Sequence, residues 1–153
     1  MKKKIAAVVT AAAAVVAGSI LVAPGADASG YGCSGTEIGT YAVRVSGGTT
    51  SYGTAHLYYD SATGDNCAVN VATAAGGYGS PHEISVYLSA CKETSPNPTT
   101  CTPTGTAGSD DKTYDYYAGP VRVHAPGKCI YLYATDTFDW NFADYFSGAF
   151  HCG

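Results

Sequence analysis

The chain has 153 residues, a formal net charge of −4 and charged side chains at 13% of its positions. An acidic chain with few, scattered cations lacks the positive patch that binds nucleic acid or anionic lipid, so the sequence predicts no nucleic-acid partner. The length suits one domain and excludes a large multidomain enzyme.

The first 28 residues have the features of a secretory signal peptide. Lysines at positions 2–4 precede an alanine- and valine-rich run over 5–22, and Ala26-Asp27-Ala28 places small residues around a cleavage site. The apolar run approaches the length that spans a membrane, so an uncleaved anchor is the alternative. We predict a signal peptide at 1–28, a single mature domain at 29–153, and a secreted, extracellular protein with no membrane contact after cleavage.

The mature region consists of short runs in which apolar and polar residues alternate. In 83–91, for example, Ile84, Val86 and Leu88 alternate with Ser85 and Tyr87. This period of two is what an antiparallel sheet with one solvated face requires. Turn-forming residues separate the runs, most clearly at 61–66. The pattern predicts seven strands, at 40–45, 54–60, 67–73, 83–91, 113–117, 121–125 and 129–134.

Seven short strands predict an all-β fold, either a small antiparallel β-sandwich or a small barrel. The C-terminal segment differs from the rest, because Phe138, Phe142, Phe146 and Phe150 recur every four residues. That spacing fits one face of a helix. We therefore predict a short helix or an aromatic loop there, tied down by Cys152.

Six cysteines in an exported chain predict three disulfides rather than a metal site. Cys91 and Cys101 flank a polar loop with two prolines and are predicted to pair with each other. The remaining four cysteines can be paired in three ways, each with two bonds, and we prefer one of these three. The predicted set is Cys33–Cys67, Cys91–Cys101 and Cys129–Cys152.

No constellation of residues predicts catalysis, a metal or a cofactor. The four histidines, at 56, 82, 124 and 151, have no Gly-x-Ser-x-Gly nucleophile motif to accompany them. His56 and His124 fall on the polar phase of predicted strands, which is typical of exposed side chains. Asp60, Asp65 and Asn66 do not match the spacing of a calcium loop and are usual turn residues. The prediction is therefore a protein that is not an enzyme.

Tyrosine is unusually frequent, with 13 in the chain. A tyrosine offers a flat apolar ring with a polar tip, which suits carbohydrate stacking and protein interfaces. The alternative is ordinary cross-strand packing, because tyrosine has a high strand propensity. The strand phases predict a contact surface made by Tyr58, Tyr87, Tyr116, Tyr131 and Tyr133.

Several short motifs resemble the spore-associated protein A family of small secreted streptomycete proteins. They are Cys-Ser-Gly at 33–35, the hairpin at 57–69, Tyr-Tyr-Ala-Gly-Pro-Val at 116–121, Ala-Pro-Gly-Lys-Cys at 125–129 and the terminal His-Cys-Gly at 151–153. The resemblance implies four cysteines, so the loop between Cys91 and Cys101 looks like an insertion. It also implies a tryptophan and two glycines after Cys129, where this chain has Ile-Tyr-Leu-Tyr. No catalytic residues are carried across.

These observations together predict a non-catalytic secreted protein of the spore or cell surface, held by non-covalent contacts with an envelope protein or glycan. A binding or inhibitory module is the alternative, either a secreted protease inhibitor that presents the segment around Lys92 and Thr94, or a carbohydrate binder. A small secreted hydrolase is the third reading.

Overall fold

The computed structural model describes residues 30–153, and the signal peptide predicted at 1–28 lies outside the described residues. The described part is an all-β fold of eight strands. They are β1 (Thr36–Val45), β2 (Ser51–Asp60), β3 (Asp65–Ala72), β4 (His82–Cys91), β5 (Pro103–Tyr114), β6 (Tyr117–His124), β7 (Ile130–Phe138) and β8 (Asn141–Phe146).

The eight strands form a single sheet that curls into a nearly closed barrel. Their order is β5-β4-β7-β8-β1-β2-β3-β6, and all neighbouring pairs are antiparallel. The two outer strands of this order, β5 and β6, meet at Gly108, where an added Cβ would lie 3.1 Å from the Arg122 carbonyl oxygen. The Gly119 amide also donates to the Asp110 carboxylate across this junction, at 2.7 Å. Of the two predicted architectures, the barrel is therefore the correct one.

Alternate residues of each strand point into the barrel and form its core. On β4, Ile84, Val86 and Leu88 are fully buried, as the alternation predicts. Burying such side chains stabilises the fold by about 1.5–3 kcal/mol each. The other interior residues are mostly Val, Leu, Ile and Ala, which suits a narrow barrel filled by side chains.

The tail is a strand, so the predicted helix is wrong. Phe138 pairs with Asn141, and the Asp139-Trp140 turn between them returns the chain along β7 as β8. A spacing of four residues is also a multiple of two, so Phe142 and Phe146 share one face of a strand as readily as one face of a helix. Pairing with β7 decides between the two, because it satisfies the backbone of this segment.

The strand predicted at 113–117 is also wrong, because it crosses a turn. β5 ends at Tyr114 and β6 begins at Tyr117. Most of β5 was not predicted, since its Pro, Gly and Asp residues have a low strand propensity and its sequence has no apolar alternation. Its pairing along nearly the whole of β4 compensates for that composition.

The structure contains the disulfides Cys33–Cys67, Cys91–Cys101 and Cys129–Cys152, the same three pairs that the sequence predicts. Odd-numbered strands run one way and even-numbered strands the other, so the barrel has two distinct ends. All three disulfides lie at the end that holds the β2–β3, β4–β5 and β6–β7 connections and both termini of the described chain. We call it the disulfide end.

The opposite end, which we call the free end, holds the β1–β2, β3–β4, β5–β6 and β7–β8 connections. Its β3–β4 loop folds over the barrel, where the glycine at position 77 lies against the Phe138 ring. Among residues 30–153 there is no helix long and apolar enough to cross a membrane.

Aromatic cleft on the outer face of the barrel

The N-terminal segment covers one side of the barrel and leaves the other side bare. Cys33 packs with Tyr58, Cys67, Val69 and Val71 on the outer face of β2 and β3, and this cluster is buried. On the opposite side, the outer faces of β4, β7 and β8 have no such covering segment within the described chain, and that bare face carries the candidate site.

Three aromatic side chains lie in register across this bare face. Tyr87 of β4 is directly opposite Tyr133 of β7, which is in turn directly opposite Phe146 of β8. Tyr131, two residues before Tyr133, therefore shares their face. Its ring contacts that of Tyr87 edge-on, with the centroids 6.2 Å apart. The strand register thus collects four aromatic rings on adjacent strands.

Beside these rings is a cleft of about 370 Å³, which we call the aromatic cleft. That volume lies within the range of roughly 300–1,000 Å³ typical of small-ligand sites. Aromatic rings and hydroxyl groups make up most of its lining. The lining residues are Tyr87, Ser89, Thr99, Thr100, Cys101, Pro103, Tyr131, Phe146 and Gly148.

The loop between Cys91 and Cys101 forms one wall of the aromatic cleft. Besides its disulfide, the loop is held to the C-terminal segment by a two-way backbone pairing between Asn97 and Ala149, at 2.9 and 2.8 Å. The Glu93 carboxylate accepts hydrogen bonds from the Thr102 amide and hydroxyl. These contacts fix the loop against the barrel rather than presenting it as an extended segment.

The hydroxyls of Tyr131 and Tyr133 remain protonated at neutral pH. Burial, followed by the neighbouring Tyr133, Tyr87 and Asp144, raises the pKa of Tyr131. Burial and Asp144 likewise raise the pKa of Tyr133. Each hydroxyl can therefore both donate and accept a hydrogen bond, as recognition of a polar ligand requires.

The structure separates the five tyrosines of the predicted contact surface. Tyr87, Tyr131 and Tyr133 lie together on the bare face, whereas Tyr116 lies at the free end, edge-on to Tyr78 at 5.0 Å. Tyr58 is 4% exposed, so its assignment to a contact surface is wrong. It does point outward from β2, but the N-terminal segment covers it.

Sequence reasoning missed the exposed aromatic residues of the β7–β8 hairpin. Phe142 and Phe146 point outward from β8 and are about half exposed, and Trp140 at the turn is fully exposed. Their spacing by two and four residues was the available signal, since it fits the outer face of a strand.

The histidines contact carboxylates or the aromatic core. His56 lies 2.5 Å from Glu37 and His124 lies 3.0 Å from Asp65, both near the surface. His151 contacts the Tyr41 hydroxyl at 2.7 Å, and burial lowers its pKa. Within residues 30–153, no serine hydroxyl hydrogen-bonds to a histidine ring.

His82 and Asp136 form a buried pair, with the His82 Nε2 atom 3.3 Å from Asp136 Oδ1. Burial raises the pKa of Asp136 to about 6, and the neighbouring His82 acts in the opposite direction. The pair points into the barrel and away from the aromatic cleft.

One group of possible metal ligands lies beside the cleft, namely Cys91, Glu93 and Cys101. Both of its sulfur atoms are joined in a disulfide. A disulfide sulfur is not the thiolate that binds zinc or copper, so this group does not fit a metal ion.

Comparison with known proteins places the chain in one family. No family model matches the sequence, and no solved structure matches it. Spore-associated protein A of Streptomyces coelicolor is 33% identical over 128 residues, an alignment that covers 81% of this chain and 74% of that protein. A relationship of that extent confirms the resemblance seen in the short motifs: the chain belongs to the spore-associated protein A family.

Proposed function

We propose that this chain is a non-catalytic protein of the spore or cell surface, held there by non-covalent contacts made through the aromatic cleft. The observation that carries the proposal is the cluster of Tyr87, Tyr131, Tyr133 and Phe146 on a bare sheet face. A contiguous cluster of partly exposed aromatic side chains often marks an interaction site.

Two further observations support this assignment. The relative from Streptomyces coelicolor is named as spore-associated. The three disulfides suit an oxidising compartment such as the cell exterior.

The rigid Cys91–Cys101 wall favours a binding cleft over a protease-inhibiting loop. An inhibitor presents an extended segment to the enzyme, whereas Glu93 and Asn97 hold this loop against Thr102 and Ala149. Carbohydrate binding is accordingly the second candidate function, and the hydroxyl groups beside the rings favour it.

Cell fractionation tests the retention. We expect the native protein to sediment with the envelopes of sporulating cells, and the double variant Y87A/Y131A to appear in the culture medium. The matched control is Tyr78→Ala, which removes an exposed ring at the free end. Recovery of the native protein in the medium alone contradicts the proposal.

An assay with generic esterase, glycosidase and protease substrates tests the non-catalytic assignment. We expect no turnover by the purified protein. Turnover that disappears in His56→Ala or His124→Ala would show an enzyme instead.

A further inference from the structure

Building on the proposed retention at the envelope, we infer that the bare face binds a linear polysaccharide of uncharged sugars, which extends from the aromatic cleft along β8 to Trp140. The binding surface is thus longer than the cleft. Its distal part consists of Phe142 and Trp140, which we call the distal aromatic pair.

The strand register provides successive rows of side chains along the face. Tyr131 and Ser89 form the first row, beside the Cys91–Cys101 loop, and the second contains Tyr133 and its cross-strand neighbours. The last row pairs Thr137 with Phe142, and Thr137 lies six residues after Tyr131 along β7. At the rise of a β-strand, the first and last rows are about 20 Å apart. A surface of that length suits an extended polymer rather than a single small molecule.

The backbone conformation at the tip of the β7–β8 hairpin indicates that the exposed Trp140 side chain serves a function other than stabilising the fold. Asp139 and Trp140 have φ values of 48° and 62°, in the left-handed region that bulky residues rarely adopt. The side chain of Trp140 is fully exposed, so burial does not offset the strain. Strain at an exposed residue of this kind is typical of functional sites.

The charge of this face disfavours a polyanion as the ligand. Glu83 and Asp144 point outward from β4 and β8, Asp111 of β5 is in register with Ser85, and Asp139 lies at the tip. Two cations lie near them: Lys112 follows Asp111 in β5, and Arg44 is in register with Asp144 and donates to the Thr49 carbonyl oxygen. Like charges placed opposite each other are unfavourable, so an anionic chain would be repelled.

The polar row in the middle of the face favours a glycan over a protein. Ser85 and Thr135 hydrogen-bond to each other at 2.5 Å, and Asp144 is in register with Thr135. This row separates the rings of the aromatic cleft from the distal aromatic pair. A protein interface needs a continuous core depleted of charge, whereas a sugar chain presents both apolar ring faces and hydroxyl edges. Alternating aromatic and polar rows match the sugar chain.

Isolated spore envelopes provide the first test, because their components can be removed in sequence. The secreted protein is sedimented with untreated envelopes, then with envelopes stripped of protein by hot detergent and protease, then with stripped envelopes whose phosphate-linked polymers are removed by acid. We expect binding to all three.

The outcomes separate this inference from the proposed function. Loss of binding after the protein is stripped would identify a protein partner, and loss after the acid step would identify an anionic polymer. Either result overturns the inference and leaves retention at the envelope intact. No binding to untreated envelopes would overturn both.

The second test measures the length of the binding surface. For polymer chains released from the stripped envelopes, we expect Phe142→Ala and Trp140→Ala each to weaken binding by about three- to tenfold, the effect of one aromatic contact. The shortest fragments that the native protein binds should bind to these two variants with unchanged affinity. The same fragments should bind more weakly to Tyr131→Ala. Tyr78→Ala is the control. Equal losses for short fragments and long chains would show that Phe142 and Trp140 are not distal contacts.

Discussion

Inside the barrel, His82 and Asp136 face each other with their nearest atoms, Nε2 and Oδ1, 3.3 Å apart. The other ring nitrogen of His82, Nδ1, lies 2.6 Å from the Ser80 carbonyl oxygen, which can only accept a hydrogen bond. Nδ1 therefore carries a proton. A proton on Asp136 Oδ1 can be directed at Nε2, and without it two lone pairs face each other in a buried site.

This pair makes the stability of the fold depend on pH. The pKa of the Asp136 carboxyl is about 6 in the folded chain, against an ordinary value of 3.8. The folded chain therefore binds this proton more tightly than the unfolded chain. The contribution is complete below about pH 4 and is lost as the pH rises through about 6, which amounts to roughly 3 kcal/mol.

Replacing the carboxyl with an amide checks this directly. We expect Asp136→Asn to be more stable than the native protein at pH 7 and to lack the decline between pH 4 and 6, because the amide is uncharged and can donate to His82. Urea unfolding at several pH values measures both effects. A decline of the same size in the variant would assign the dependence to other groups.

The disulfide between Cys91 and Cys101 closes a short loop, with a sequence separation of 10. Replacing both cysteines with serine should lower the free energy of unfolding by about 2–3 kcal/mol in the chain-entropy model, and should weaken ligand binding because a wall of the aromatic cleft becomes mobile. Cys33 and Cys67, with a separation of 34, provide the comparison. Their removal should cost more stability, about 4 kcal/mol, and leave the cleft wall in place.

The closing of the free end depends on the glycine at position 77, which has a φ of 85° and lies against Phe138. An alanine there would have an unfavourable backbone conformation and would overlap the Phe138 ring. We expect Gly77→Ala to destabilise the fold by about 2–4 kcal/mol in thermal or urea unfolding. Gly47→Ala measures the cost of the unfavourable backbone conformation alone, because Gly47 has a φ of 71° and a Cβ added there would have no neighbour within 4 Å. Its cost should be about 1–2 kcal/mol.

The Asp139-Trp140 turn is expected to reduce stability in favour of function. Both residues have positive φ, as a two-residue type I′ hairpin turn requires, and Asn-Gly is the preferred sequence for such a turn. The double variant D139N/W140G should therefore be more stable by about 1 kcal/mol or more while binding stripped envelopes more weakly. A variant that gains stability and keeps full binding would remove Trp140 from the binding surface.

Alternation of apolar and polar residues was sufficient to predict the barrel interior, since Val86 and Leu88 are buried as their phase requires. It could not predict β5, which has no apolar alternation and several Gly, Pro and Asp residues, and which is ordered by its pairing with β4. Nor could it place Tyr58, because alternation shows that a side chain points outward but not that a distant segment covers it. The helix expected in the tail failed for a related reason: Phe142 and Phe146 fit both periods, and a long-range pairing decided between them.

The candidate site was predictable in part. The phases of Tyr87, Tyr131 and Tyr133 showed that these rings share the outer side of their strands. Their proximity depends on β4 and β7 being neighbours, although β5 and β6 separate them in the chain. The pairing of β7 with β8, which brings in Phe146, could not be recognised while the tail was expected to be helical.

The placement of every disulfide at one end of the barrel gives the molecule a gradient of local stability. Fluctuations that break backbone hydrogen bonds should begin where no covalent bridge restrains the strands, so amide protons near Trp140 and the β3–β4 loop should exchange with deuterium sooner than those near Cys91 and Cys129. Reducing agents should abolish this difference, since they remove the restraint from the slower end.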